Sequence, residues 1–187
     1  MDRSLNRVNV IETTRLRLRL PRHSDAPLVL ALMSDPETRR WNSAPSVVDL
    51  GGAIGWIDRT ADWSDGDHAS WAVADPQTDE FLGVVSVHSI NPDQQDAEIG
   101  YRVLAAARGR GIATAAVTAA TTWAFQNLSL VRIELAHAVA NPASCAVATR
   151  CGYLLEGTLR QSFVYGDGNR YDEHLHARLV TDEVAAG

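Results

Sequence analysis

A strand–helix–strand succession in the middle of the chain constrains the fold more than any other feature. Residues 97–103 and 131–139 are rich in strand-forming side chains, and the Ala/Thr-rich segment 111–126 between them repeats its apolar residues at helical spacing. A helix that crosses over between two strands of one sheet joins parallel neighbours. The sequence therefore predicts one parallel strand pair in the middle of the sheet.

The segments on either side predict antiparallel strands and short helices. Residues 15–20 alternate Arg and Leu, which is typical of a half-buried strand. Two hairpins are predicted, 69–74 with 81–88 and 153–165 with 171–180, because turn residues separate the members of each pair. Further helices are predicted to start near Ser24-Asp25, at Ser46 and at Asn141-Pro142. The fold class is α/β, a mixed and mostly antiparallel sheet flanked by helices, in a single domain over residues 1–187.

Composition and charge exclude several classes of protein. Apolar residues make up 45% of the chain and charged residues 21%, as in ordinary globular domains. A net charge of −6 disfavours a nucleic-acid partner, because neutralising phosphates needs a basic surface. No apolar stretch approaches membrane-helix length, so we expect a cytoplasmic protein with no membrane partner. Cys145 and Cys151, about 9 Å apart along one helix, are too distant for a disulfide.

The loop at residues 108–113, Arg-Gly-Arg-Gly-Ile-Ala, lies between a predicted strand and the long helix. Its two glycines allow a tight curl in which successive N–H groups converge, and the helix N-terminus adds partial positive charge. Arg108 and Arg110 would add two formal charges. This pattern predicts a pyrophosphate site, whereas the alternative is a tight turn flanked by exposed arginines.

These motifs resemble the GNAT N-acetyltransferase superfamily, whose signature R/Q-x-x-G-x-G/A is met by Arg108, Gly111 and Ala113. The resemblance extends over nearly the whole chain, through residues 12–19, 97–101, 141–144 and 152–157. Together these segments resemble the RimJ/RimL-type branch of the superfamily. The resemblance implies a sheet splayed between the two central strands, with the pantetheine of acetyl-CoA in the gap. The residues that it implies for acetyl-CoA binding are Val103, Arg108, Gly109, Arg110, Gly111, Ile112, Ala113, Thr114, Asn141 and Arg150.

Transfer of an acetyl group to an amine needs a base for the incoming ammonium and a donor for the leaving thiolate. Glu98 is the candidate base, because Ala97, Ile99 and Tyr101 share the other face of its strand. A solvated strand carboxylate is the alternative, and water would then be the base. The RimJ/RimL-type branch associates this role with another glutamate, at a position that Phe163 occupies here.

Ser144 is the candidate proton donor. Many members of the superfamily use a tyrosine four residues further along, where this chain has Ala148, so the resemblance passes the role to Ser144. The alternative is a first-turn serine in a helix that Asn141 caps.

The remaining polar and aromatic residues favour structural interpretations. His174 and His176 share a strand face, but no third ligand is evident, so no metal is predicted, and His88 is interpreted as structural. A group of tryptophans and aspartates precedes the first hairpin: Trp41, Trp56, Trp63 and Trp71 with Asp62, Asp65 and Asp67. Packing accounts for most of the tryptophans, although Trp41 and the aspartates could receive a cationic acceptor.

The sequence thus predicts an acetyl-CoA-dependent N-acetyltransferase that acts by direct transfer in a ternary complex. The acceptor is a primary amine of a peptide or a small molecule, and a homodimer is compatible with the pattern. The first alternative is a catalytically weak module that binds acetyl-CoA for regulation. An RNA-binding role for the Arg-Gly loop is disfavoured by the net charge of −6.

Overall fold

A computed structural model describes residues 10–42 and 47–182. The strands are β1 Val10–Glu12, β2 Arg17–Arg19, β3 Ala69–Ala74, β4 Phe81–Asn91, β5 Asp96–Val103, β6 Arg132–Ala138, β7 Leu154–Val164 and β8 Arg170–Leu179. The α-helices are α1 Ala26–Ser34, α2 Pro36–Arg40, α3 Leu50–Ala61, α4 Ile112–Asn127 and α5 Pro142–Arg150. Single 3₁₀ turns occupy His23–Asp25 and Ala105–Ala107.

All the described strands form one sheet in the order β1-β2-β3-β4-β5-β6-β8-β7. Among the strands of residues 10–42 and 47–182, only β5 and β6 pair in parallel, and α4 is the crossover between them. Their pairing stops after Glu98 and Glu134, whereas β5 stays on β4 as far as Val103 and β6 stays on β8 as far as Ala138. The sheet is therefore splayed between β5 and β6. The predicted mixed, mostly antiparallel fold is confirmed.

Helices cover both faces of the sheet. On one face, α4 places Val117 and Ala120 against strand residues such as Val85, and Trp63, Trp71 and Trp123 pack edge to face at 4.8–6.1 Å. On the other face, α1 and α3 enclose a second apolar cluster around Leu32, Ile57 and Phe81. The helices on the two faces therefore bury the apolar side chains of the central strands.

The strand predicted at residues 15–20 is observed as β2, and a further strand that was not predicted, β1, precedes it. Thr13 accepts a hydrogen bond from the Leu16 backbone N–H on its Oγ1 at 2.9 Å and donates from Oγ1 to the Leu16 carbonyl at 2.9 Å. This turn connects β1 to β2. Arg19, expected to face solvent, is buried in a bidentate ion pair with Asp25 at 2.8 and 2.9 Å.

Two helix starts also differ. Helix α1 ends at Ser34, and Pro36 opens a separate helix, α2, that was not predicted; the side chain of Asp35 caps α2 by accepting from the Thr38 N–H at 2.9 Å. The predicted start at Ser46 lies outside the described residues. Helix α3 begins at Leu50, where Asp49 is the N-cap and accepts from the Gly52 N–H at 2.7 Å.

Two further expectations concern the cysteines and the helices. Cys145 and Cys151 are free thiols, as the spacing predicted. Within residues 10–42 and 47–182, no helix combines the length and the apolar character needed to cross a bilayer.

Candidate active site

Two cavities meet where the sheet is splayed. One, which we call the α4 groove, has a volume of about 420 Å³ and runs along the start of α4 and the side of α5. The other, the inner cavity, has a volume of about 460 Å³ and lies over β3, β4 and β5. Six residues line both: Trp41, Asn42, Tyr101, Arg102, Asn141 and Ser144.

One wall of the α4 groove is formed by the turn and the backbone at the start of α4. Gly109 and Gly111 have φ of +73° and +75°, the left-handed region that other residues rarely adopt. Gly111 is the N-cap of α4, and no side chain in the described part of the chain caps this helix. The first-turn N–H groups have no acceptor within the helix, so the groove wall carries unsatisfied donors and the positive end of the helix dipole.

Nine of the ten predicted acetyl-CoA-binding residues line this groove. They are Val103, Arg108, Gly109, Gly111, Ile112, Ala113, Thr114, Asn141 and Arg150. Arg110 does not line it; its carbonyl oxygen accepts a hydrogen bond at 3.0 Å from Nη2 of Arg15, which braces the loop from outside.

Arg108 has a different electrostatic role from the expected one. Its guanidinium donates to the carboxylate of Asp35 and, at 3.0 Å, to Oγ1 of Thr38. Burial alone would raise the pKa of Asp35, but hydrogen bonds from Arg108 and Thr38 lower that pKa below its ordinary value. The charge of Arg108 is thus compensated by a carboxylate, so its side chain ties the loop to α2 instead of presenting a free cation.

Ser144 and Tyr101 lie at the junction of the two cavities. Their hydroxyl oxygens are 3.0 Å apart, and the backbone N–H of Ser144 donates to Oδ1 of Asn141 at 3.2 Å. Burial raises the pKa of Tyr101 to about 12, so the phenol stays protonated at neutral pH. The pair can therefore donate a proton.

Sequence reasoning overlooked Tyr101 because it alternates with Ala97 and Ile99 on the apolar face of β5. Its position in the part of β5 that is no longer paired to β6 gives its hydroxyl access to the cavities. The sequence did contain a signal for this role: the hydroxyl of Tyr101 is a polar group on an otherwise apolar strand face, close to the predicted splay.

The inner cavity contains imidazole, hydroxyl and aromatic groups but, among the described residues, no carboxylate. Ser70 and Ser86 on its floor share a hydrogen bond at 2.6 Å. Arg102 projects between the two cavities and donates to Oδ1 of Asn42 at 2.7 Å. Burial lowers the pKa of Arg102, since no carboxylate compensates its charge.

Glu98 lies on the predicted face of β5 but does not line the cavity. It is exposed at the end of the strand and stands opposite His88 in the β4–β5 ladder. His88, interpreted from the sequence as structural, does line the cavity. His88 and Glu98 are therefore neighbours in the sheet. The imidazole of His88 faces the inner cavity, and the carboxylate of Glu98 lies outside it.

The environment of His88 favours a neutral imidazole. Burial lowers its pKa most, the charge of Glu98 raises it in part, and the charge of Arg102 lowers it again. His68 and Asp67 contribute smaller effects of opposite sign. Gly100 leaves room for the ring, because a Cβ there would lie 3.3 Å from Nε2 of His88. A neutral histidine of this kind can accept a proton at neutral pH.

The aromatic residues divide between core and cavity. Trp41 and Trp56 line the inner cavity, whereas Trp63 and Trp71 belong to the core. Trp41 already holds a cation, since the guanidinium carbon of Arg40 lies 4.5 Å from its ring centroid. None of the three aspartates predicted to attract a cation, Asp62, Asp65 and Asp67, lines the cavity.

Phe163 also lies apart from the cavity lining. Its side chain is 38% exposed on β7 and packs edge to face on Tyr165 at 5.0 Å between ring centroids. Tyr165 does line the cavity and donates a hydrogen bond to Glu173 at 2.9 Å. Phe163 therefore supports the cavity wall from behind.

A groove with anion-binding backbone that meets a second cavity at a proton-donating hydroxyl pair defines a two-substrate transferase. The sequence profile described as Acetyltransferase (GNAT) domain matches residues 15–154. The chain therefore belongs to the GNAT acetyltransferase family. It is an N-acetyltransferase, and acetyl-CoA is its acetyl donor.

Named relatives agree with this assignment. The chain is 27% identical to the uncharacterized N-acetyltransferase YoaA of Bacillus subtilis, over 90% of this chain and 95% of the relative. It is 37% identical to the ribosomal-protein-serine acetyltransferase of Escherichia coli, over 56% of this chain and 58% of the relative. The solved structure of RimL, a ribosomal L7/L12 α-N-protein acetyltransferase with coenzyme A, superimposes with a TM-score of 0.82 at 24% identity, covering 93% of this chain and 99% of the other.

Proposed function

We propose that this enzyme acetylates the α-amino group of a peptide or of a small molecule, by direct transfer from acetyl-CoA in a ternary complex. The observation that carries the proposal is the meeting of the α4 groove and the inner cavity at Tyr101 and Ser144. Two substrates that enter from opposite sides would bring their reacting atoms together there, with no covalent enzyme intermediate.

The donor occupies the α4 groove. The first-turn N–H groups of α4 and the loop around Gly111 bind its pyrophosphate, and exposed Arg150 adds a positive charge along the groove. The pantetheine arm follows the opening between β5 and β6, where Val103 lines the groove. The β5 edge that β6 leaves unpaired can donate a backbone N–H to the thioester carbonyl.

The reaction needs two proton transfers. The amine nitrogen attacks the thioester carbon, the C–S bond breaks, and the thiolate takes a proton from Ser144, which Tyr101 resupplies through their hydrogen bond. The proton that the amine loses passes to His88 directly or through one water. His88 then releases that proton to solvent and Tyr101 regains one from solvent, so that both residues return to their starting states. Glu98, predicted as the base itself, acts in this scheme as the carboxylate that stabilises the protonated imidazole.

The chemistry of the inner cavity favours an α-amine over a lysine side chain. An α-amine, with a pKa of about 7.7–8.0, is partly neutral at pH 7, whereas a lysine amine near 10.4 is almost wholly charged. A lysine ammonium would find no carboxylate among the described lining residues, and Arg102 would repel it. Arg102 can instead donate to a carbonyl or carboxylate next to the α-amine. The name of the ribosomal-protein-serine acetyltransferase relative supports a peptide acceptor.

Steady-state acetyl-CoA consumption with matched amines tests this proposal. We expect kcat/KM at pH 7 to be at least about 100-fold higher for short peptides with a free Ser or Ala N-terminus than for Nα-acetyl-lysine, in line with the difference in neutral amine. The same peptides with a blocked N-terminus are the control. Equal rates with Nα-acetyl-lysine would refute the α-amine assignment. Coenzyme A binding without turnover of any amine would instead identify a regulatory module.

A further inference from the structure

A cluster of nitrogen and sulfur ligands lies under α5, beside the site described above. It consists of His137 on β6, His174 and His176 on β8, and Cys145 on α5; one ligand atom from each lies within 4.8 Å of all the others. No third ligand for His174 and His176 was evident from the sequence, and the structure supplies two, His137 and Cys145. The antiparallel register pairs His137 with His174, and α5 brings Cys145 over both strands.

The hydrogen bonds of two of these imidazoles fix their tautomers. Nδ1 of His137 lies 2.8 Å from the Ala138 carbonyl, and Nδ1 of His176 lies 3.2 Å from the Tyr153 carbonyl. A carbonyl oxygen only accepts, so each Nδ1 carries the hydrogen and each Nε2 presents a lone pair. These two Nε2 atoms are 3.2 Å apart. Two lone pairs facing at that distance repel unless a cation lies between them.

The other two members of the cluster also lack the partners that such groups normally have. Nδ1 of His174 is buried and has no hydrogen-bond partner among the described residues. Its ring stands edge-on to those of His137 and His176, with centroids 5.4 and 6.0 Å apart. Cys145 is a free, half-buried thiol. A buried polar nitrogen without a partner carries a free-energy penalty that a bound cation would remove.

We propose that His137, Cys145, His174 and His176 bind a divalent transition-metal ion, for which Zn²⁺ is the best chemical match. Three imidazoles and one thiolate are preferred zinc ligands, and backbone carbonyls on the far ring nitrogens are the usual second layer of a zinc site. Zinc–ligand bonds of about 2.0–2.3 Å place tetrahedral ligand atoms roughly 3.4–3.7 Å apart. The cluster, whose ligand atoms lie within 4.8 Å of one another, therefore needs to contract by at most about 1.4 Å, which side-chain rotation can supply.

The position of this metal site gives it a structural role. Four protein ligands leave no open coordination position, so the ion would not bind substrate. Cys145 directly follows Ser144, and His137 contributes to the wall of the inner cavity. A metal ion here would tie α5 to β6 and β8 and hold Ser144 next to Tyr101. This inference does not depend on which amine is the acceptor.

Zinc binding by the full-length chain tests the proposal directly. After chelator treatment and removal of the chelator, we expect the wild type to take up one Zn²⁺ per chain and to gain thermal stability with added Zn²⁺. Cys145→Ser and His174→Ala should bind Zn²⁺ at least about 100-fold more weakly, because each removes one ligand. Cys151→Ser and His23→Ala are matched controls outside the cluster and should bind Zn²⁺ like the wild type.

Cobalt substitution makes the test independent of how well any variant folds. Co²⁺ in the wild type should give the intense visible bands of a tetrahedral site and a thiolate-to-metal charge-transfer band, and the latter should vanish in Cys145→Ser. Wild-type Co²⁺ spectra without that charge-transfer band would overturn the assignment. Equal Zn²⁺ uptake by the wild type and His174→Ala would overturn it too, and a proton shared by His137 and His176 would then explain their contact.

Discussion

The α4 groove and the inner cavity have similar volumes but differ in the kinds of groups that line them. One wall of the groove comes from one short stretch, residues 103–114, where a glycine-rich turn aligns backbone N–H donors; residues of β5, α2 and α5 form the rest. The inner cavity takes its lining from α2, α3, β3 to β6 and the turn after β7, so its chemistry comes from side chains far apart in sequence. An anion site made of backbone groups can therefore be predicted from a short stretch of sequence. An acceptor site made of side chains from distant segments cannot.

The same difference appears in the charges of the two regions. In the groove, Arg108 is bound to Asp35 and Arg110 lies outside the lining, so the loop functions mainly through its backbone. In the inner cavity, half-buried His88 and Arg102 have lowered pKa values because desolvation disfavours their charged forms. We therefore expect backbone changes to affect the groove most, and side-chain changes to affect the inner cavity most.

The largest effect is expected from Gly111→Val. The left-handed φ of +75° is costly for a β-branched residue, and a Cβ would lie 3.2 Å from Nη2 of Arg15. The turn should reopen and misalign the N–H groups, so that affinity for coenzyme A falls by about 100-fold or more. Isothermal titration calorimetry measures this change.

Gly109→Ala is the matched control for that experiment. Gly109 has a similar φ of +73°, but a Cβ there meets no atom within 4 Å. Its substitution should weaken coenzyme A binding much less than Gly111→Val, because it strains the backbone without a clash. Equal losses would show that local strain alone, and not the contact with Arg15, controls the groove.

The next largest effect is expected at the junction of the two regions. Ser144→Ala and Tyr101→Phe should each lower kcat by about 100-fold, while coenzyme A affinity stays near that of the wild type, since each removes a link in one proton path. The double variant should lose little more than either single variant, because the two hydroxyls act as a unit. Single-turnover kinetics measure the chemical step. Additive losses would separate the roles of the two hydroxyls.

The smallest effect is expected from Glu98→Gln. If His88 accepts the proton, this variant should lose about 3- to 10-fold in kcat/KM, whereas His88→Gln should lose about 100-fold. The lowered pKa of His88 keeps the imidazole neutral below its ordinary titration range. Removing the charge of Glu98, which raises that pKa, should move the acidic limb of the pH profile to still lower pH.

The pH profile also distinguishes the alternative in which Glu98 is itself the base. In that case Glu98→Gln should lose about 100-fold at neutral pH, and the deficit should shrink as pH rises towards the pKa of the acceptor amine. A His88→Gln variant with wild-type kcat/KM at every pH would remove His88 from the mechanism and leave Glu98 or water as the base.

Much of the fold could be predicted because local patterns dominate in most elements. The hairpins, α4 and the parallel pair of β5 with β6 follow from periodicity, turn residues and the crossover rule. The exceptions are places where one side-chain hydrogen bond overrides the pattern. Thr13 closes the turn between β2 and the unpredicted strand β1, and Asp35 caps the helix that Pro36 opens.

By itself the sequence determined most of the strands and helices, the glycine loop and the position of Ser144 behind an Asn-Pro cap. These features depend on neighbours within a few residues, so a linear pattern contains them. Only the tertiary structure decided that His88, and not Glu98, lines the inner cavity, that Tyr101 contacts Ser144, and that Cys145 joins three histidines. Each of these contacts joins residues on different strands or helices, and the register and splay of the sheet bring them together.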